Sequence, residues 1–437
     1  MPGSRPRAPS PRTTRALLLP HRRRVRTGDE WRGRADADER AQQTPPLDSD
    51  PVRAASIASL LIGIALVLTA PGAAGREAAP VAAGVFISPS GSDRNACTRR
   101  APCESFMRGY QAAKPGQTVA VAGGRYDGQQ EIPVDRSKVS PKDVVFRPAK
   151  GAAVVVESLD VYGKHVEVRN VRIERDFYVK CGADDVTLRN SKATLFFVRP
   201  ATNVRIIRSE FGPSDTISQM GSSSDCRTAP NRVLLDRVYM HDFTHPVDSK
   251  HMECLTVEAA DNLTIRNSRF YHCEDFDILF KHRGAVLASR NILIENNWFD
   301  KPWPDGSSAI QFSEPDGGGT FSNVLIRNNS LAGTLLLKPN VEYRNTRVLS
   351  NVGNRYGGPC SGGDVEVAYN VWSDGGCGAT NRRAASGFRS PERFDFHLKP
   401  GAAAVNRGHP TSYPRGDIDG QRRPRNRRPD AGADEAG

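Results

Sequence analysis

The sequence predicts an all-β solenoid, in which short strands repeat along one axis. One eight-residue phrase returns along the chain: apolar, any, apolar, any, Asn or a substitute, a small residue, any residue, and a closing apolar residue. Its eight copies start 18 to 41 residues apart, at Val166, Val186, Val204, Val233, Leu263, Ile292, Val324 and Val365. A unit that repeats at such a period, with insertions of varying length, is typical of solenoids. The gap after Val324 leaves room for one more turn near Val348.

Each copy of the phrase predicts a strand followed by a corner. Alternating apolar residues indicate a strand, because neighbouring side chains of a strand point to opposite faces. Asn suits the corner, because it tolerates the left-handed backbone conformation and its amide can bond the Asn of the next coil. We therefore expect a ladder of corner amides from Asn170, Asn190, Asn267, Asn296 and Asn328. An all-β sandwich is the alternative, but sandwiches rarely repeat one phrase so often.

From about Val85 onward, these phrases resemble the right-handed parallel β-helix of the pectate-lyase-like superfamily, in its exported bacterial form. The resemblance implies three short strands in each coil and a polysaccharide groove along one stack of parallel strands. No catalytic signature of a lyase or hydrolase family matches residue by residue, so the resemblance assigns no catalytic residue.

The chain divides into five predicted regions. They are a disordered extension (1–51), a signal peptide or signal anchor (52–75), an N-terminal cap with the first coils (76–150), the β-helix repeats (151–380) and a closing segment with a charged tail (381–437). The cap should contain a helix from Ser105 to Ala113, because Phe106, Tyr110 and Ala113 have helical spacing before a Pro-Gly stop. The charge run of the tail is expected to be solvated.

The first two regions predict export. Residues 1–51 are rich in Arg, Pro and Asp, and we interpret them as disordered or as a mis-assigned start, with the true start near Val52. The apolar run from Ala54 to Ala70 is followed by small residues, as in a secretory signal peptide. Cleavage would give a secreted protein. An uncleaved signal would anchor it in the membrane with an extracellular β-helix.

The eight cysteines agree with an oxidising compartment. Three near pairs stand out in the sequence, and they leave two cysteines for a fourth: Cys97 with Cys103, Cys254 with Cys273, Cys360 with Cys377, and Cys181 with Cys226. The sequence does not determine this connectivity. It contains no C-x-x-C motif, which argues against a zinc site.

The net charge of +12 is compatible with an anionic polysaccharide as partner. Residues 1–53 hold twelve Arg and seven acidic residues, and thus +5 of this charge. Basic and aromatic residues are not interleaved as in nucleic-acid modules, so we expect no nucleic-acid partner. We also expect a monomer that meets a membrane only through an uncleaved anchor.

A further strand can be placed in each coil, with its first and third residues inward and its fourth residue outward. These strands start at Phe177, Phe196, Leu255, Ile278, Ile310 and Leu335. Their fourth residues form one predicted outward column: Lys180, Arg199, Glu258, Lys281, Ser313 and Lys338. The longest polar loops fall in the middle coils, where a substrate would sit. The predicted substrate-binding residues are Lys180, Arg199, Glu258, Arg283, Trp303 and Lys338.

Two chemistries fit the middle coils. A uronate lyase needs a base and a group that neutralises the sugar carboxylate. Its predicted base is Lys281 or Lys250, with Arg283 or a bound cation as neutraliser and His251 or His282 assisting proton transfer. A hydrolase needs two carboxylates across the glycosidic bond. Its candidates are Glu253, Glu258, Asp275 and Asp277. The predicted catalytic set is Lys281, His251, His282, Glu253 and Asp277.

Structural roles compete with these catalytic ones. Glu258 and Lys281 would also suit a cross-strand ion pair. The two aspartates Asp275 and Asp277 would suit turn amides, and Trp303 would suit the cover of a core edge. The cofactor is unknown from the sequence, although Ca²⁺ could bind among the same oxygens.

The sequence favours an exported protein that acts on polysaccharide, with a uronate lyase as the first hypothesis. A non-catalytic glycan-binding or cell-surface β-helix is the main alternative, because a repetitive face can bind a polymer without chemistry. A polysaccharide hydrolase or an epimerase is the other.

If the signal is cleaved, the mature N-terminus should lie near Gly75, where small residues follow the apolar run. Intact-mass measurement of the secreted protein tests this expectation. A secreted chain that still contains residues 54–70 would contradict it.

Overall fold

The computed structural model describes seven segments of the chain. These are residues 84–223, 226–245, 252–283, 286–300, 308–313, 318–360 and 364–436. The predicted extension and signal segment lie outside the described residues. Within the described part, no helix is both long and apolar enough to span a bilayer.

The cap contains the predicted helix, Phe106–Ala112. Ser105 is its N-cap: its hydroxyl accepts a hydrogen bond from the Arg108 N–H at 3.0 Å. The buried side of the helix carries Phe106 and Tyr110, and Phe106 stacks on Phe146 of an early coil at 5.1 Å. The helix is thereby fastened onto the first coils.

The repeated phrase forms one continuous parallel sheet, here called the first sheet. Its twelve described strands are Val85–Ile87, Thr118–Val121, Val144–Pro148, Lys164–Arg169, Asp184–Arg189, Thr202–Ile207, Asn231–Asp236, Asp261–Arg266, Ala288–Glu295, Thr320–Arg327, Glu342–Leu349 and Val365–Ala368. The first residues of the phrases are aligned from coil to coil, as in the pairs Val166 with Val186 and Leu263 with Ile292. The extra turn near Val348 is present, paired with Ile326. The solenoid prediction is confirmed, and the sandwich alternative is wrong.

The other two strands of each coil belong to a second sheet, of eighteen described strands. Short strands after the corner make the second face: Arg172–Ile173, Lys192–Ala193, Glu210–Phe211, Tyr239–Phe243, Arg269–Cys273, Trp298–Phe299 and Arg382–Arg383. The third face holds Asp176–Val179, Leu195–Val198, Ser218–Met220, Glu253–Val257, Phe276–Lys281 and Ser308–Ser313. In five coils, one continuous strand forms both the second and the third face. These strands are Gly124–Ile132, Val154–Val161, Ser330–Leu337, Val352–Gly357 and Val371–Gly375.

The corner asparagines adopt the predicted conformation, but the main ladder lies one residue later. Positive φ is found at Asn170, Asn190, Asn267, Asn296 and Asn328. The continuous ladder is instead formed by Asn297, Asn329, Asn351, Asn370 and Asn381, in which each side-chain oxygen accepts the backbone N–H of the preceding member. The residue after the corner points into the β-helix. Water cannot reach its backbone N–H there, so this N–H donates to an Asn side-chain oxygen of the next coil.

A second, exposed ladder was not predicted. It lies in the strands of the first sheet and runs through the amides of Asn231, Asn262, Asn291, Asn323 and Asn345, of which all but Asn231 have a positive φ. The same amide chemistry therefore recurs at a second left-handed position of these coils.

The C-terminal segment packs back along the β-helix. A hairpin of Phe388–Ser390 and Asp395–Leu398, joined by the 3-10 turn Pro391–Arg393, precedes it. Arg423 and Glu435 are buried and face each other at 3.8 Å, and Arg423 donates to the corner residue Asn296. The expectation of a solvated charge run is wrong for these residues, because they pair with each other and with the corner.

All eight cysteines are paired as the sequence suggested. The pairs Cys97–Cys103, Cys181–Cys226, Cys254–Cys273 and Cys360–Cys377 have Cα separations of 4.6, 6.2, 5.3 and 5.5 Å.

The buried ladder should contribute far more to stability than the exposed one. Replacing Asn329 by Ala removes the acceptor of the Asn297 backbone N–H, which is buried, and should cost about 1–3 kcal/mol. Asn323→Gly, in the exposed ladder, keeps the positive φ accessible and should cost less than about 1 kcal/mol. Urea unfolding of both variants tests the difference, and equal losses would contradict it.

Candidate functional site

The third face carries the predicted outward columns, with one coil more than expected. The second-position column runs through Tyr178, Phe197, Gln219, Thr256, Leu279, Gln311 and Leu336. Sequence reasoning missed the coil of Ser218–Met220, because its inward residue Ser218 breaks the apolar alternation. The Ser218 hydroxyl is buried and accepts the Phe196 N–H at 3.2 Å.

The fourth-position residues follow in the same register, and we call them the charged column. Its members are Lys180, Arg199, Gly221, Glu258, Lys281, Ser313 and Lys338. Gly221 leaves a notch that Glu258 fills: a Cβ at Gly221 would lie 2.7 Å from the Glu258 Cβ. The side chains of Thr256 and Leu279 beside the column are buried, whereas Tyr178 and Leu336 are half-buried. The third face is therefore more open towards its ends.

Glu258 and Lys281 occupy equivalent positions of adjacent coils, as predicted. Burial raises the pKa of Glu258, and the charges of Arg283, Lys281 and Arg199 only partly oppose this effect. The direct ion pair is absent, because no Lys281 ammonium contact within 4.0 Å of a carboxylate occurs among the described residues. The Lys281 side chain is half-exposed, and its ammonium group forms no hydrogen bond within that part of the chain.

Asp277 is not a groove residue, contrary to expectation. It is fully buried, and neither carboxylate oxygen has a hydrogen-bond partner in the described structure. Burial raises the pKa of Asp277 well above its ordinary value, and the nearby charge of Asp300 adds to the shift. The role in turn amides considered for Asp277 is also wrong, whereas Asp275 accepts the Met252 N–H at 2.7 Å.

His282 also lies inside the protein, although the sequence placed it beside Lys281 on the surface. Its Nε2 is 3.0 Å from the Ser289 hydroxyl, and its ring stacks on Phe321 at 4.3 Å. Burial lowers the pKa of His282 to about 4, so the imidazole is neutral at neutral pH. Glu253 is likewise buried, at the start of its strand.

Three other histidines of the cluster lie away from the third face or at its edge. His241 and His272 are on the second face and share Asp242, at 2.8 and 2.7 Å. The backbone N–H of His245 donates to the Glu274 carboxylate. The predicted residues Lys250, His251 and Trp303 lie outside the described residues, so their predicted roles stay predictions.

The remaining predicted binding residues are spread along the column. Lys180 forms an ion pair of 2.8 Å with the buried Asp160, and Arg199 bonds neutral groups. Arg283 is exposed and acts electrostatically on Glu258. Lys338 stands at the far end, half-exposed. The structure thus brings Lys281, Arg283 and Arg199 within electrostatic range of Glu258, whereas Lys180 is paired with Asp160.

Groups of three ligand-type side chains occur elsewhere among the described residues. One contains Asp143, His165 and Asp185, and the other contains His397, Asp419 and Asp434. Neither includes a predicted site residue, so the groove has no preformed three-ligand centre in the part that the structure describes.

Comparison with known proteins supports the fold. A family model described as right handed beta helix region matches residues 169–338. A pectate lyase of Emericella nidulans is 31% identical over 85 residues, which are 20% of this chain. The chain spans about a fifth of the length of that curated relative, 21%.

Two solved structures are similar at low identity. The pectate lyase Pel9A is 14% identical, with 81% of this chain and 96% of that chain covered and a TM-score of 0.46. A rhamnogalacturonan lyase is 12% identical, with 68% and 89% covered and a TM-score of 0.30. The family match and the observed parallel coils together identify the repeats as a right-handed parallel β-helix.

Proposed function

We propose that the protein cleaves an acidic polysaccharide by β-elimination, as a uronate lyase, on the middle of the charged column. The observation that carries the proposal is the half-exposed Lys281 ammonium, which has no ion pair or hydrogen bond within the described residues. Lys180, another cation of the charged column, forms an ion pair with Asp160 instead. A lysine amine on the surface of a groove is a suitable general base for a uronate substrate.

The chemistry requires two functions from the side chains. A deprotonated Lys281 amine would take the proton beside the sugar carboxylate, the released electron pair would form the carbon–carbon double bond, and the glycosidic oxygen would leave. Arg283, exposed and close enough to affect Glu258, would hold the substrate carboxylate and stabilise the charge that develops on it. The similarity to a pectate lyase over 85 residues agrees with this reaction.

The hydrolase alternative has less support from the described carboxylates. Glu258 lies on the column, but Asp277 is fully buried and Asp275 bonds a backbone amide. No second carboxylate in the described part faces Glu258 across the column. Four disulfides favour an oxidising, extracellular compartment for the proposed enzyme.

A Ca²⁺ ion would fit the buried carboxylate of Asp277. Both of its oxygens lack a hydrogen-bond partner in the described structure, and the charge of Asp300 acts on it. Ca²⁺ prefers such carboxylate oxygens and would offset their repulsion. When bound, it would neutralise the buried carboxylate beneath the third face.

Replacing Lys281 by Ala should abolish turnover of the polymer. The free energy of unfolding should stay nearly unchanged, because a charged side chain at the surface contributes only about 0–1 kcal/mol to it. Lys281→Arg should also lose turnover yet keep binding, since it retains the charge without a usable base. The assay is the ultraviolet absorbance of unsaturated products from uronate polymers. Lys338→Ala, at the far end of the column, should have the smaller effect.

Full activity of the Lys281→Ala protein would contradict the assignment, and so would a loss that follows unfolding. Reducing ends without absorbance would indicate a hydrolase. Retention of the polymer without any turnover would indicate a non-catalytic glycan-binding protein.

Asp277→Asn tests the buried carboxylate through pH. With a raised pKa, native Asp277 holds a proton that the unfolded chain releases above about pH 3.9, so its contribution to stability falls as pH rises. In the presence of a chelator, the Asn variant should therefore gain stability over the wild type between pH 4 and pH 7. Thermal unfolding of both proteins at the two pH values measures the gain, and a stability difference that does not shift in favour of the Asn variant from pH 4 to pH 7 would contradict it.

The wild type and Asp277→Asn also test whether Asp277 binds Ca²⁺. At 100 times its Kd, a bound ion should stabilise the wild type by about 2.7 kcal/mol and the Asn variant by clearly less. Equal stabilisation of both proteins would show that Asp277 does not hold the ion.

A further inference from the structure

The third face carries a cationic aromatic patch towards its N-terminal end, which we define as Tyr178, Lys180, Phe197 and Arg199. Tyr178 and Phe197 are paired residues of adjacent coils, and their ring centroids are 5.0 Å apart. Both rings are half-buried on the outer surface. The Lys180 ammonium lies 3.4 Å from the Tyr178 centroid, and the Arg199 guanidinium lies 5.6 Å from that of Phe197.

The guanidinium of Arg199 has no direct ion pair among the described residues, although its charge acts on Glu258. Its Nε donates to the Tyr178 hydroxyl at 3.0 Å, and its other nitrogens donate to Gln219 Oε1 at 2.8 Å and to the Ser222 carbonyl at 3.5 Å. All three acceptors are neutral, and no carboxylate lies within 4.0 Å of Arg199 among the described residues.

Arginines on the first sheet of the same molecule behave differently. Arg189 bonds Glu167 at 3.0 Å, and Arg327 bonds Glu295 at 2.8 Å, in each case across adjacent coils. The equivalent place next to Arg199 holds Gly221, which has no side chain to offer. A guanidinium fixed by three neutral acceptors keeps its full charge for a carboxylate from outside the protein.

We infer that this patch is a sugar-binding subsite for a uronate residue of an acidic polysaccharide, remote from the reacting bond. The apolar face of the pyranose ring would pack on Phe197, and its carboxylate would bind Arg199, with Lys180 adding positive charge. The inference deepens the proposed function and rests on it.

The position of the patch determines how long a bound polysaccharide must be to contact it. Three coil steps separate Arg199 from Lys281 along the charged column, through Gly221 and Glu258. At about 4.8 Å per step, this separation is about 14 Å. A polymer that reacts at Lys281 can therefore reach the patch, whereas a short oligomer bound at Lys281 cannot.

The patch is also connected to the proposed centre. Gln219 accepts from Arg199 and donates to Glu258, so one side-chain network joins three coils. A bound carboxylate at Arg199 would then compete with Gln219 for the guanidinium.

The test compares two patch variants with a matched control. Phe197→Ala removes the packing surface, and Arg199→Gln removes the charge on a surface residue. Leu336→Ala changes a half-exposed apolar residue of the same column near the other end of the third face, outside the patch. Thermal unfolding shows which variants are folded, and Arg199→Gln remains informative if Phe197→Ala is not.

Binding is measured by retardation in gels that contain polygalacturonate or alginate, and turnover by absorbance with polygalacturonate and its trimer. Each patch variant should bind the polymer about five- to tenfold more weakly and raise its KM to match, with unchanged kcat. Kinetics on the trimer and the behaviour of Leu336→Ala should equal the wild type. The Arg199→Gln protein should also show a weaker dependence of binding on salt.

The outcomes separate this inference from the proposed function. Polymer binding and KM that are unchanged in both patch variants would overturn the subsite, even if Lys281→Ala abolishes turnover. Binding that depends on the patch in a protein without turnover would support the subsite and overturn the lyase. A wild type retarded by neither polymer would overturn the subsite.

Discussion

The register between successive coils is the constraint on which the rest of the structure depends. Insertions make the repeats unequal in length, yet the first phrase residues stay paired from Val166 through to Val365. A shift of one residue would turn every inward side chain outward. The buried ladder from Asn297 to Asn381 opposes such a shift, because each buried backbone N–H donates to the side-chain oxygen of the ladder residue in the next coil.

The same register decides what the surface can do. Stacked coils place equivalent residues about 4.8 Å apart, so each column is a series of side chains at nearly fixed spacing. On the first sheet, this spacing neutralises charges in pairs such as Arg266 with Asp236. On the third face, a glycine stands at 221 and Glu258 is buried, and neither Arg199 nor Lys281 has such a partner among the residues that the structure describes. Cations held apart at regular intervals suit a polymer whose own charges repeat.

The fold could be predicted from the sequence repeat, whereas the features that depart from the repeat could not. The strands, their register and the cap helix could be predicted because each follows from alternation or spacing, whereas the observed cysteine pairs agree with a pairing that the sequence suggested but did not determine. The coil at Ser218 was missed because a buried hydroxyl replaces an apolar side chain there. The burial of Asp277 and His282 could not be predicted, since alternation within a strand tells which face a residue takes and not what covers that face. Contacts of the C-terminal segment with Asn296 join residues more than a hundred positions apart, beyond any local pattern.

The most direct measurement of the central claim is a crystal structure of the protein with a bound oligouronide. The account predicts a sugar chain along the third face, parallel to the axis of the β-helix, with carboxylates at Arg199 and near Arg283 and a sugar ring beside the Lys281 amine. An oligosaccharide bound along the first sheet or on the corner surface near Asn170, with the third face empty, would contradict it.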